Sequence, residues 1–196
     1  VFPWGSAPLF LRLGCIPYEF THFVDIDPRA AVPVPVTAVT AMFMHAGWLH
    51  LLGNMLFLWV FGDNIEDTLG KIGFVLVLVV SAIAGGALHV ATHPQDPIPV
   101  LGASGAISGI IGAYIVLFPR VKVWVVFFFV RFKLGVLWYF GIWILFNSLN
   151  AFLNEPGIAW FCHIGGFVAG VAVAYLIRNK FQTDHGIGAH ASIYNS

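Results

Sequence analysis

Charge is what this sequence has least of. Of its 196 residues, 9 are Lys or Arg and 9 are Asp or Glu, 9% in all, where a soluble domain carries about a quarter. There is no basic run to engage nucleic acid. A water-soluble chain of this size has too high a surface-to-volume ratio to hide a 59% apolar composition, and the mean hydropathy of +0.89 places the chain in a bilayer. Cysteine is scarce too. Cys15 and Cys162 are the only two, and Cys162 lies in an apolar run beside His163, so both read as free thiols and not as a disulfide. Also missing is His-Glu-x-x-His, the motif a metal-dependent intramembrane protease needs, and Asp63 is the only candidate for the two membrane aspartates of an aspartyl type. No metal and no cofactor are expected. A signal-peptide pattern is absent and the first residue is Val1, so the sequence reads as a fragment or processed chain with something missing upstream.

What is present is long apolar stretches. A bilayer core about 30 Å thick needs roughly 20 mostly apolar residues per helix. Five stretches qualify: Val39 to Phe61, Ile72 to Ala91, Gly102 to Phe118, Leu134 to Phe152, and Ile158 to Ile177. The expected fold is an all-α polytopic membrane bundle. Residues 1–38, with six prolines, read as an external loop domain at the membrane interface, residues 39–178 as the transmembrane core, and residues 179–196 as a polar, disordered cytoplasmic tail. Val121–Val130 is short, aromatic and β-branched between pairs of basic residues, and reads as an interfacial connection.

If the spans alternate in direction, one side receives Lys71, Arg120, Lys122, Arg131, Lys133, Arg178 and Lys180, and the other only Arg12 and Arg29. The basic side is cytoplasmic, which puts the C-terminus inside and the loop domain outside. Such an external N-terminal segment calls for a further span upstream of Val1. The expected location is the plasma membrane, the inner membrane in a bacterium.

Polar side chains within spans are costly and mark function by default. His45, His50 and Asn54 in the first span, Ser104 in the third and His163 in the fifth all fall near the external ends. Ser104 sits between Gly102-Ala103 and Gly105 at a loop-to-helix junction, where backbone N–H groups are free and the helix dipole is positive, as acyl-transfer chemistry requires. Alone, that tetrapeptide reads better as a helix cap with small packing residues. His163, Gly166 and Gly170 form one helix stripe, and Gly105, Gly109 and Gly112 form another. Two such faces let backbones approach closely, bringing Ser104 and His163 within reach as a nucleophile and general base. His50 and Asn54, four apart, share a face and offer uncharged N–H donors to an oxyanion. His45 reads as a brace for the external loop.

These segments resemble a known family. Phe43-Met44-His45-Ala46-Gly47-Trp48-Leu49-His50-Leu51-Leu52-Gly53-Asn54-Met55 looks like the second-helix motif of rhomboid intramembrane serine proteases. Gly102-Ala103-Ser104-Gly105-Ala106-Ile107-Ser108-Gly109 resembles their serine motif, and His163-Ile164-Gly165-Gly166-Phe167 their histidine motif. Phe61-Gly62-Asp63-Asn64-Ile65-Glu66-Asp67 is similar to the loop after their second helix. The resemblance implies a rhomboid-like helical bundle of six helices, five of them here and the first missing. It implies a Ser104–His163 dyad that cleaves single-span or polytopic membrane-protein substrates in or near their transmembrane segments. By the same resemblance, His50, Asn54 and the Ser104 N–H form the oxyanion hole, and Glu66 anchors the cytoplasmic loop. Where some relatives stack an aromatic on the histidine, this chain has Ser108, so the orientation of His163 must rely on packing. A catalytically silent rhomboid-like adaptor or chaperone would share the fold but normally lacks the serine or the histidine. A small transporter would line a path across the bilayer with its polar residues, whereas these cluster at one end.

Overall fold

The structure is a computed structural model that describes residues 6–26, 32–155 and 157–181. The expected disorder of the tail from Gln182 and the placement of Arg29 fall outside those residues. Helices α1 (Ser6–Leu13), α2 (Pro17–His22) and α3 (Val34–Thr40) precede a 3-10 turn at Ala41–Phe43. Then come α4 (Trp48–Thr92), α5 (Ser104–Leu117), strands β1 (Lys122–Phe127) and β2 (Val130–Gly135), α6 (Val136–Phe152) and α7 (Trp160–Phe181). By length and composition, α4 and α7 can each cross a membrane.

The first two expected stretches belong to α4, which departs from helical geometry only at Gly70, with φ 68 and ψ 171. A glycine there accepts a left-handed φ that a side chain would oppose, and the helix resumes after it in a new direction. Two sequence expectations are corrected here. Residues 39–47 form the end of α3, the 3-10 turn and a short loop, so the long helix begins at Trp48. Phe61–Asp67, expected to be a loop, is helical up to the kink.

Contacts between helices set their directions. Phe61 meets Tyr114 edge-on with ring centroids 5.1 Å apart, and His50 lies against Gly102, so the first arm of α4 runs parallel to α5. Ser81 faces Gly109, and Gly85 faces Cys162 and Gly166, so the second arm runs antiparallel to α5. Gly166 abuts the Gly105 carbonyl, and Gly170 abuts that of Gly109: α7 is parallel to α5. On α6, Asn147 meets His163 and Trp143 meets Phe167, which makes α6 antiparallel to α7.

Helix α5 is the centre of the bundle. Every residue from Gly105 to Tyr114 is buried, the signature of a helix that is apolar all round. Two kinds of packing meet on it. Towards the Gly70 end, large side chains form the core: Phe61, Ile65, Leu69, Val77, Ile110, Tyr114 and Phe140. Towards the Ser104 end, glycines replace them and backbones touch directly.

The expectation of an all-α fold is corrected by the segment after α5. It forms an antiparallel hairpin in which Lys122 pairs with Gly135 and Phe127 with Val130. Its β-branched and aromatic residues suit a pleated strand, and α6 therefore starts at Val136, not Leu134. The Arg131 guanidinium and the Lys133 ammonium both lie over the Trp124 ring, 5.3 and 5.2 Å from its centroid.

The N-terminal segment is tied to the loop ahead of α5. Cys15 and Val100 exchange backbone hydrogen bonds of 3.2 and 2.8 Å, Tyr18 N–H donates to the Asp96 carbonyl at 3.0 Å, and Gly102 N–H donates to the Ala41 carbonyl at 2.9 Å. Thr21 Oγ1 donates to the Pro94 carbonyl at 2.6 Å, and Glu19, buried, accepts from Ile26 N–H at 2.8 Å. These bonds fix the approach to Ser104 from outside the helical bundle.

Candidate active site

Ser104 is the first residue of α5. The backbone reaches it through Gly102, whose φ of 107 lies where L side chains are strained. Gly102 also has no room for one: an added Cβ would come within 2.7 Å of His50 Cε1 and 3.4 Å of Asn54 Nδ2. The serine motif is thus folded around the side chains of α4. The N–H groups of the first helical turn have no partner within their own helix, and they face the same loop.

His163 sits one turn into α7. Its Nε2 and Ser104 Oγ are 2.9 Å apart, and its Nδ1 and Asn147 Oδ1 are 2.7 Å apart. Asn147 Nδ2 in turn donates to the Trp143 carbonyl at 2.8 Å. The Trp143 ring lies roughly parallel to the imidazole at 6.1 Å, and Trp160 meets it edge-on at 6.2 Å. The orientation of His163 therefore has a hydrogen bond behind it as well as packing. Ser108 does not supply that support, because its Oγ donates to the Ser104 carbonyl at 2.6 Å.

The close approach of α5 and α7 is what lets these short side chains meet. A Cβ on Gly105 would fall 2.6 Å from Cys162 Sγ, and one on Gly170 would strike the Gly109 backbone. Gly85 and Gly165, which lie outside the two glycine stripes read from the sequence, extend the same contact to α4: a Cβ on Gly165 would meet the Ala84 carbonyl oxygen at 2.9 Å.

The remaining expected residues divide. His50 and Asn54 flank Gly102. Asn54 is buried, and its Nδ2 makes no hydrogen bond among the described residues, leaving an unused donor beside the serine loop. His45 is buried and packs edge-on against His50 at 5.2 Å. Its Nε2 makes no hydrogen bond among the described residues, so at that atom it serves packing and not the expected bracing. Glu66 is not in a loop. It is half-buried on α4, one turn before the kink, and remote in sequence from the serine end. No group of three or more potential metal ligands occurs among the described residues.

Asn147, Trp143 and Trp160 line the site and were missed by sequence reasoning. A signal for Asn147 existed, since it is an amide within an apolar span. Trp143 lies four residues earlier, on the same helix face.

A family model for the rhomboid domain matches residues 35–180. The chain is 34% identical over 165 residues to RHOMBOID-like protein 6, mitochondrial, of Arabidopsis thaliana, covering 80% of this chain and 51% of that protein. It is 31% identical over 158 residues to Rhomboid protein 1, mitochondrial, of Saccharomyces cerevisiae, covering 75% and 43%. It is 32% identical over 144 residues to Rhomboid-like protease 3 of Toxoplasma gondii, covering 74% and 52%. The chain spans about half the length of these relatives. With a family domain matched across most of its helical bundle, the chain belongs to the rhomboid family of integral membrane proteins.

Proposed function

We propose that this chain carries the active site of an intramembrane serine endopeptidase that cleaves membrane-protein substrates in or near their transmembrane segments. The observation that carries the reading is the 2.9 Å contact between Ser104 Oγ and His163 Nε2, formed at the N-terminus of a buried helix by residues from two different helices. In this mechanism Ser104 Oγ attacks a substrate carbonyl carbon while its proton passes to His163 Nε2. The tetrahedral oxyanion accepts hydrogen bonds from the Ser104 N–H, Asn54 Nδ2 and His50. Collapse of the intermediate breaks the C–N bond as His163 returns the proton to the leaving amine, and water then releases the acyl group by the same path. A Ser–His pair needs no carboxylate at bilayer depth, where one would be costly to desolvate.

The proposed topology has five crossings. The two arms of α4 on either side of Gly70 are each roughly 33 Å long at 1.5 Å per residue, enough for one crossing apiece, and α5, α6 and α7 supply the others. With its 14 residues, α5 is only about 21 Å long against a core of about 30 Å. That shortfall recesses Ser104 beneath the membrane surface, on the side away from Lys71, the hairpin cations and Arg178. The C-terminal end lies on the Lys- and Arg-rich side, the cytoplasmic side of a plasma membrane.

The test is cleavage of a single-span reporter by the full-length protein in liposomes, with the new N-terminus mapped. Cleavage inside or next to the reporter's span, absent in Ser104→Ala and His163→Ala, is expected. Undiminished cleavage by Ser104→Ala would remove the assignment.

A further inference from the structure

Asn147 is 2% exposed and hydrogen-bonded at both ends of its amide, which sets it apart from the other amide of its helix. Among the described residues, the Asn150 side chain bonds only within its own helix, with Nδ2 donating to the Phe146 carbonyl at 2.7 Å. We propose that Asn147 is a positioning residue for the reaction, holding His163 in the one tautomer that can accept the Ser104 proton. The proposal rests on the proteolytic reading above.

The Trp143 carbonyl decides the case. A carbonyl only accepts, so the atom of Asn147 that lies 2.8 Å from it must be the donating Nδ2. The reverse amide orientation would set two acceptor oxygens against each other. With Nδ2 fixed, Oδ1 is the atom 2.7 Å from His163 Nδ1, and Oδ1 only accepts. Nδ1 must therefore carry the ring proton. A neutral imidazole has one N–H, so Nε2 is left with its lone pair directed at Ser104 Oγ, 2.9 Å away. The order of donors runs Ser104 O–H to His163 Nε2, His163 Nδ1–H to Asn147 Oδ1, and Asn147 Nδ2–H to the Trp143 carbonyl.

The same helix face supplies a second restraint. Trp143, one turn before Asn147, lays its ring beside the imidazole at an interplanar angle of 28°. The hydrogen bond selects which nitrogen is protonated, and the indole limits ring rotation. When Nε2 takes the serine proton, the imidazolium keeps its Nδ1–H on a carbonyl dipole, which stabilises the charge without placing a carboxylate at that depth.

The proposal is tested with the full-length protein in liposomes, measuring kcat and KM for a single-span reporter in wild type, Asn147→Leu, Asn147→Ala, Asn147→Asp and Ser104→Ala. Thermal unfolding of each variant is recorded alongside. Asn147→Leu is expected to lower kcat about 10- to 150-fold, the loss of a hydrogen bond to a charging group, with KM within about twofold of wild type. Asn147→Asp in its protonated form keeps an acceptor oxygen for His163 and an O–H for the Trp143 carbonyl, and is expected to hold kcat within about threefold. Equal losses in the Leu and Asp variants, or an unchanged kcat in Asn147→Leu, overturn the proposal. If Asn147→Leu does not fold, Asn147→Ala is judged against Asn147→Asp by the same criteria. Ser104→Ala separates the two levels. An inactive Ser104→Ala beside a fully active Asn147→Leu removes the positioning role and leaves the protease reading intact. An active Ser104→Ala removes both.

Discussion

Gly102 and His50, from the loop before α5 and the first arm of α4, are in contact so close that one added carbon would break it: a Cβ at Gly102 would sit 2.8 Å from His50 Nε2. The serine loop takes its shape from this contact and from a φ of 107 that favours glycine. Gly102→Ala should therefore displace the imidazole and strain the loop at once. Reporter cleavage is expected to fall at least tenfold, by analogy with the loss of an oxyanion donor, with helical content retained by circular dichroism. Wild-type kcat in Gly102→Ala would show that the contact is incidental.

Asn54 Nδ2 is a buried donor with no hydrogen bond among the described residues. If it serves the oxyanion, Asn54→Leu should lose roughly 100- to 1000-fold in kcat with little change in KM. Its stability should hold or rise, because the unpaired polar atom is gone. Steady-state kinetics together with thermal unfolding in detergent check both halves.

The glycine faces predict a steric series. Gly170 touches the Gly109 backbone, and Gly166 touches that of Gly105. Gly170→Val should cost about 1–3 kcal/mol or more by forcing α5 and α7 apart. It should also slow cleavage, since Ser104 and His163 ride on those helices. Gly86 and Gly141, with open space around a Cβ, are the matched controls and should tolerate alanine. Chemical unfolding in micelles distinguishes the two sets.

Much of this site could be read from the sequence, for a physical reason. Ser104, His163, His50 and Asn54 are polar groups at the ends of apolar runs, and the glycine spacing tells which helix faces can meet. Less legible were features that depend on how neighbours pack. Asn147 looks like any amide in a span until α6 is seen to run antiparallel to α7, which brings it opposite His163. Glu66 followed a span-ending Gly62-Asp63 in sequence, yet the helix carries on to Gly70 because nothing before that residue breaks its geometry. Val121–Val130 reads from the sequence only as a β-branched and aromatic interfacial connection; its pairing with Val130–Gly135, whose last two residues fall in the expected start of the next helix, depends on how the chain turns back on itself.

Cys15 offers a test of how firmly the N-terminal segment is held. Burial, and then the Glu19 carboxylate, push its thiol up to about 12. Because a raised value keeps the thiol protonated, the reactive thiolate is scarce near neutrality. Alkylation of Cys15 at pH 8 should be at least about 100-fold slower in the folded protein than in the unfolded chain, and its rate should still be rising at pH 10. Mass spectrometry of the Cys15 peptide follows it. Fast labelling of folded protein at pH 8 would mean that the Cys15–Val100 bridge opens readily.

The pairing of Ser104 with His163 is tested most directly by a fluorophosphonate, which bonds covalently to an activated serine and needs no substrate. Full-length protein in liposomes is treated with the probe, digested and mapped by mass spectrometry. A single adduct on Ser104 is expected, formed at least about 100 times more slowly in His163→Ala, the contribution of a general base. An adduct on a different residue, or equal labelling of Ser104 without His163, would contradict the mechanism proposed for this protein.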